Sequence, residues 1–224
     1  MRGVGIYKAE IVKQIHNFYG DLLIRRNEFL TIKNHLKALA EKHREGVKSK
    51  IPCTFVELNN YHPSYIGKAV DQLLDFEIPK EASYECVAYE HGFASWLDLN
   101  HKTDCPYNHQ FEVGLDYLLN GDLDSLSDHL DLNSDIINQT SLFGHKAMLL
   151  HYTASNGVEF WRQQVPLNLP KVIELLIEKG ADLKAKMKVY GGEYDTLSLL
   201  TSSAHHYKAR VGKAAEQVLQ RQVM

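Results

Sequence analysis

Apolar residues recur along most of this chain at three- and four-residue spacing, the period that lines one face of an α-helix. In "EFLTIKNHLKALAEKH" Phe29, Ile32, Leu36 and Leu39 form such a stripe, with lysine and glutamate between them, and Gly46 marks the expected stop. "CTFVELNNY" reads as a short helix ending before His62-Pro63, because the residue ahead of a proline avoids helical angles. "YIGKAVDQLLDF" and "PKEASYECVAYEHG" predict two further helices, the second opened by Pro79 and closed by Gly92. Ser95 is placed to cap "SWLDLNHK". At "KTDCPYNHQ" the pattern breaks, so Pro106 marks the expected domain boundary. No alternating run is long enough to predict a sheet.

Beyond the break a second regularity begins. "VGLDYLLNGDLDSLSDHL" reads as helix, Gly-Asp turn, helix, followed by the polar stretch "DLNSDIINQTSLFGH". A second unit opens with "LLHYTASNG", closes with "PKVIELLIEKG" and runs on through "ADLKAKMKVYGGEYD"; a third starts at "DTLSLLTSSAH" and ends at "AEQVLQRQ". The repeating element is a helical hairpin joined to the next by a long polar turn. Such units bury their apolar faces only by stacking on one another.

The middle unit resembles an ankyrin repeat. Met148 to His151 occupy the opening block, Thr153-Ala154 the pair of small residues and Gly157 the turn glycine. Val172 and Leu175-Leu176 take the core positions of the second helix, and Gly180-Ala181-Asp182-Leu183 closes the unit. Met148 and Leu149 stand where the family pattern has Thr and Pro. In the first unit Gly121, Leu126 and Leu130 match, and in the third Asp195-Thr196-Leu197-Ser198 fill the opening block. The segments "GFASW", "SLFGHKAMLLHYTASNGVEFWRQ" and "VYGGEYDTL" look like those of bacterial ankyrin-repeat proteins with a helical N-terminal region. The resemblance implies protein–protein interaction without a specified reaction, and by analogy it gives His151 a structural role between neighbouring turns.

Val172 comes ten residues later than the ankyrin pattern places it, which defines an insert over 158–169. Pro166 and Pro170 stiffen it, the latter at the first turn of the next helix. Phe160, Trp161 and Arg162 are residue types that dominate binding hot spots. Two readings stand: the aromatics fold back as a lid over the hairpin core, or the loop is a recognition surface. A second candidate surface is "VYGGEYD", where Gly191-Gly192 permits positive backbone angles and Tyr190 and Tyr194 flank the turn as amphipathic contacts. The same tyrosines also fit packing between adjacent units.

Composition narrows the partners. A net charge of -3 gives no overall attraction to nucleic acid or to an anionic membrane. The basic stretch "RRNEFLTIKNHLKALAEKHREGVKSK" is broken by acidic residues at helical spacing and reads as a solvated face. No apolar run approaches the roughly 20 residues needed to span a bilayer. Cys53, Cys86 and Cys105 are dispersed and odd in number, as expected of reduced thiols in a cytoplasmic protein, with Cys86 a buried inert thiol inside its helix.

Catalytic motifs do not emerge. The chain holds no phosphate loop, dinucleotide fingerprint, H-E-x-x-H or G-x-S-x-G. His101 with Cys105, and His205-His206, lack further ligands nearby in sequence, so neither predicts a metal site. The sequence therefore predicts an all-α protein: a helical bundle over residues 1–106 packed on a short alpha solenoid of about three degenerate ankyrin repeats over 107–224. It is expected to bind another protein through Phe160, Trp161, Arg162, Tyr190 and Tyr194, with no catalysis, cofactor or metal. The rival expectation is an enzyme or small-ligand receptor whose pocket lies between the two parts and includes Tyr61, His62 and Trp96.

Overall fold

A computed structural model describes residues 4–221. The chain is mostly helical, with two small two-stranded sheets, and it divides into two compact units. Glu10–Tyr107 form one; Asn108 onward, together with the segment ahead of Glu10, form the other. Among the described residues no helix is long and apolar enough to cross a membrane.

The first unit is a bundle of α1 (Glu10–Tyr19), α2 (Asp21–Ile24), α3 (Ile32–Lys48), α4 (Pro52–Tyr61), α5 (Val70–Leu73), α6 (Lys80–Glu90) and α7 (Trp96–Lys102). α3 and α4 both pack on α6. Thr31 caps α3 by accepting from the Asn34 N–H, and Ser95 caps α7 by accepting from Asp98, as its sequence position predicts. Gly46 does not end α3. A Cβ there would lie 2.4 Å from Thr54 and 2.5 Å from Phe18, so this glycine admits α4 and α1 to the helix flank. The helix stops later, at Ser49-Lys50. The expected helix over "YIGKAVDQLLDF" shortens to the single turn of α5, with hydrogen-bonded turns before it.

The second unit contains α8 (His109–Asn120), α9 (Leu123–Leu132), α10 (Leu149–Tyr152), α11 (Leu169–Glu178), α12 (Thr196–Ser202), α13 (Ala204–Lys208) and α14 (Gly212–Arg221). Successive helices lie side by side in two layers. α8 touches α10 and α10 touches α12; α9 touches α11 and α11 touches α14. One apolar cluster runs through all of them, from Leu115 and Leu126 through Leu150, Val172 and Leu176 to Leu199 and Ala215. Burying a leucine in such a seam contributes about 1.5–3 kcal/mol. Asn138 stitches two turns within this unit. Its Nδ2 donates to the Gly180 carbonyl (2.9 Å) and its Oδ1 accepts from the Asp182 N–H (2.8 Å), which fixes the Gly-Ala-Asp turn on the segment that follows α9.

The absence of sheet expected from the sequence is corrected at two places. Strand β1 (Ile6–Lys8) pairs antiparallel with β2 (Gln164–Pro166), aligning Tyr7 with Val165. This pairing takes the segment before Glu10 out of the bundle expected over 1–106 and joins it to the second unit. Strands β3 (Lys186–Val189) and β4 (Gly192–Asp195) form a hairpin in which Met187 opposes Tyr194 and Lys188 opposes Glu193. Each strand has only three or four residues, too few for an alternating pattern to register.

Candidate functional site

The insert is interior except at Leu167, which is 50% exposed, and the half-buried Asn168. After Glu159 the chain makes one 3-10 turn over Phe160–Arg162 and then enters β2. Phe160 and Trp161 retain 5% and 7% exposure and Arg162 none, so the expectation that these three form an exposed contact loop is corrected. The cause is electrostatic as well as apolar. The Arg162 guanidinium bonds Glu112 on α8 through Nη2 and Glu159 through Nη1 at 3.3 Å. It also lies 4.2 Å from the Trp161 ring centre and 5.6 Å from that of Tyr152. Glu159 Oε1 collects two further donors, Tyr152 Oη and His145 Nε2, each at 3.3 Å. His145 Nδ1 accepts from the Ala147 N–H (3.1 Å), which assigns the ring proton to Nε2. Burial foremost, and then the charge of Glu159, hold the Tyr152 phenol far above its ordinary pKa, so it stays a donor.

The rest of the insert is sewn down by backbone partners. Gln164 Nε2 donates to the Leu119 carbonyl (3.0 Å), Asn168 Nδ2 to that of Gly121 (2.8 Å), and Ser155 Oγ to that of Gln164 (2.7 Å). Gly121 ends α8 at φ 66°, and a Cβ there would come within 2.3 Å of Asn168 Oδ1, so both backbone angle and space require glycine. His151 receives the Met148 N–H on Nδ1 and donates from Nε2 to the Ala185 carbonyl (3.1 Å), tying α10 to the approach of β3.

The hairpin is the opposite case. Lys186, Lys188 and Glu193 face solvent, while Met187 is fully buried and Lys188 N–H donates to the His145 carbonyl (2.8 Å). Tyr190 and Gly191 form the two-residue tip with φ of 53° and 74°, both positive as in a type I′ turn. Asparagine or glycine ordinarily holds the first of these positions, yet here a tyrosine does, and it remains 68% exposed. Its hydroxyl donates to Asn156 Oδ1 (2.6 Å), and Asn156 Nδ2 in turn donates to Ser202 Oγ (2.9 Å) and the Leu199 carbonyl (3.1 Å). The ring is thus presented outward on a tether. Tyr194 is 39% exposed. No signal marked Asn156 as a bracing residue, although it precedes the turn glycine Gly157.

The bundle unit has its own polar interior. Glu57 is buried, accepts from Tyr19 Oη at 3.1 Å, and is held well above the usual carboxylate range by burial and by the neighbouring Glu90 charge. His43 is fully buried, and burial lowers its pKa to about 4. Its Nε2 donates to the Thr54 carbonyl (3.1 Å), so Nδ1 accepts from Ser83 Oγ (3.0 Å). The pair has the tautomer of a nucleophile and its base, but Ser83 is only 1% exposed. Its role here is bracing α3 against α6. His62 meets Tyr65 at a tilt and Tyr89 edge-on, and Trp96 meets Tyr84 edge-on. Tyr61 packs on the cluster of Phe55 and Leu58. All three cysteines are free, and burial raises the Cys86 thiol far above its ordinary value. Among the described residues no group of three or more His, Cys, Asp or Glu is placed to hold a metal ion. His206 Nε2 instead donates to the Thr153 carbonyl (2.9 Å).

No protein-family model matches the sequence, and no curated protein or solved structure is similar to it at a significant level.

Proposed function

We propose that the second unit is a short ankyrin-type stack acting as a non-catalytic, intracellular protein–protein interaction module, as in the bacterial proteins its sequence resembles. The β3–β4 hairpin is its contact finger. The layered order of α8, α10 and α12 against α9, α11 and α14 supports the stack. So do the Asn138 bridge to the Gly-Ala-Asp turn and the His151 bond to the next unit.

The observation that carries the contact surface is Tyr190, a large aromatic held outward at a backbone angle that disfavours its type. A strained, exposed aromatic is retained where its side chain has work to do. Its chemistry suits a partner offering an apolar or cationic face to the ring, with Lys186, Lys188 and Glu193 alongside. A photo-crosslinking amino acid placed at Lys188 is expected to give discrete adducts in cell extract, which Tyr190→Asn diminishes. The same probe at Leu132, an 84% exposed position on α9, gives none. Equal labelling from both positions removes the hairpin from the reading.

A further inference from the structure

The bundle unit contains a groove of about 620 Å³, within the roughly 300–1,000 Å³ usual for small-molecule sites. Its apolar lining comes from Val47, Phe55, Leu74, Phe76 and Ile78, and all but Phe76 belong to the cluster that fills the core of the unit. Ser83, at its wall, spends its proton on His43. Around the same groove stand Arg44, Lys48, Lys50 and Lys80 against one carboxylate, Glu45. Arg44 is paired with Glu41 (2.9 Å), Lys80 with Glu81 (3.7 Å) and Glu45 with Lys42 (3.5 Å). Lys48 and Lys50 have no ion pair among the described residues. In a chain of net charge -3 this is a local reversal of sign.

Lys50 adds an independent observation. It sits at φ 56°, at the end of α3, where its N–H bonds the Val47 carbonyl (3.1 Å) and the Ile51 N–H bonds that of Gly46 (2.8 Å). These two bonds define the helix-terminating motif whose left-handed residue is usually glycine. A lysine there is strained, and it leaves a cation without an ion pair beside an apolar groove.

We propose that this groove binds an amphipathic anion: an apolar chain lying against Val47, Phe55, Leu74 and Phe76, with a carboxylate or phosphate head taken by Lys48 and Lys50. The volume favours a small molecule over a folded partner, whose interface would bury about 800 Å² per side. Calorimetric titration of the full chain with decanoate, decyl phosphate, decanol and decyltrimethylammonium, each below its micelle concentration, tests it. The anions are expected to bind about tenfold or more tightly than decanol, and the ammonium not at all. A preference between the two anions assigns the head as carboxylate or phosphate. Lys48→Gln with Lys50→Gln, both on the surface, weakens the anions about tenfold while lowering Tm by no more than about 2 °C. Lys50→Gly weakens them while raising Tm by about 2 °C, a split that loss of folding cannot produce. Phe76→Ser weakens both anions alike. Decanol binding as well as decanoate, failure of both anions to bind, or indifference to the lysine changes overturns the proposal. An acidic amphipathic peptide binding where the decyl anions do not also overturns it, in favour of a macromolecular partner.

Discussion

Both units bury carboxylates, and they do so by opposite means. In the second unit Glu112 and Glu159 face the guanidinium of Arg162, with His145 and Tyr152 adding donors to Glu159. In the bundle Glu57 lies near Glu90, and burial with that like charge drives it to hold its proton. A buried carboxylate needs either a counter-ion or a proton, since an unpaired charge in a protein interior costs several kcal/mol. The first arrangement fixes geometry, because a guanidinium donates its hydrogen bonds only in its plane. The second leaves a pH-sensitive interior. The same contrast separates insert from hairpin: charge pairing draws Arg162 and its aromatic neighbours inside, while the lysines of β3 and Glu193 stay wet and leave Tyr190 outside.

The strongest way to break the comparison is Arg162→Met. It strips the counter-ion from two buried carboxylates and is expected to cost about 3–5 kcal/mol in urea unfolding of the second unit. Trp161 reports that unit in a Trp96→Phe background, since the chain has two tryptophans, one in each unit. Adding Glu112→Gln to Arg162→Met should recover part of the loss, which a purely steric role for Arg162 does not allow.

Acid titration comes next in size. His43 in the bundle and His206 in the second unit both have folded pKa values of about 4, lowered chiefly by burial. The unfolded chain takes up these protons near pH 6.5 and the folded chain only near 4. The contribution of these two histidines is therefore full above pH 6.5 and falls between 6.5 and 4, by up to about 3 kcal/mol at each site. His43→Asn should flatten that fall in the bundle alone, as followed by Trp96 fluorescence in a Trp161→Phe background.

Glu57 has the reverse sign. Its raised pKa means that its contribution is present below about pH 4.5 and is lost as pH climbs through the folded value. Glu57→Gln should thus change stability by no more than about 1.5 kcal/mol at pH 5 and become stabilising relative to the parent as pH rises. Glu112→Gln, made in the charge-paired unit, should be costly at neutral pH. Equal behaviour of the two glutamine variants would erase the distinction between the units.

The smallest expected effect is that of Tyr190→Asn. It removes the bond to Asn156 and relieves the positive φ, changes of opposite sign and about 1 kcal/mol each, so stability should hardly move. Partner crosslinking should still decline.

Much of the helical layout was legible from periodicity and capping: Ser95 at α7, Pro79 ahead of α6, and Gly180 closing α11 all occupy their expected places. The burial of Arg162 was not legible, since its counter-ion Glu112 lies 50 residues away and no local pattern joins them. The three-residue strands β1 and β2 lie far apart in the sequence and give no periodic signal. Gly46 misled as a stop because a glycine read in one dimension does not reveal the Phe18 ring pressed against it. At the hairpin, the turn itself was legible from Gly191-Gly192, while the Asn156 tether that holds Tyr190 was visible only in three dimensions.

The most direct test of the central claim, an interior insert beside an outward contact finger, is hydroxyl-radical footprinting of the full chain, alone and in cell extract. The account predicts rapid oxidation of Tyr190 and protection of Trp161 in the isolated protein, with Tyr190 becoming protected in extract. Oxidation of Trp161 at the rate of Tyr190, or a Tyr190 signal unchanged by extract, would contradict it.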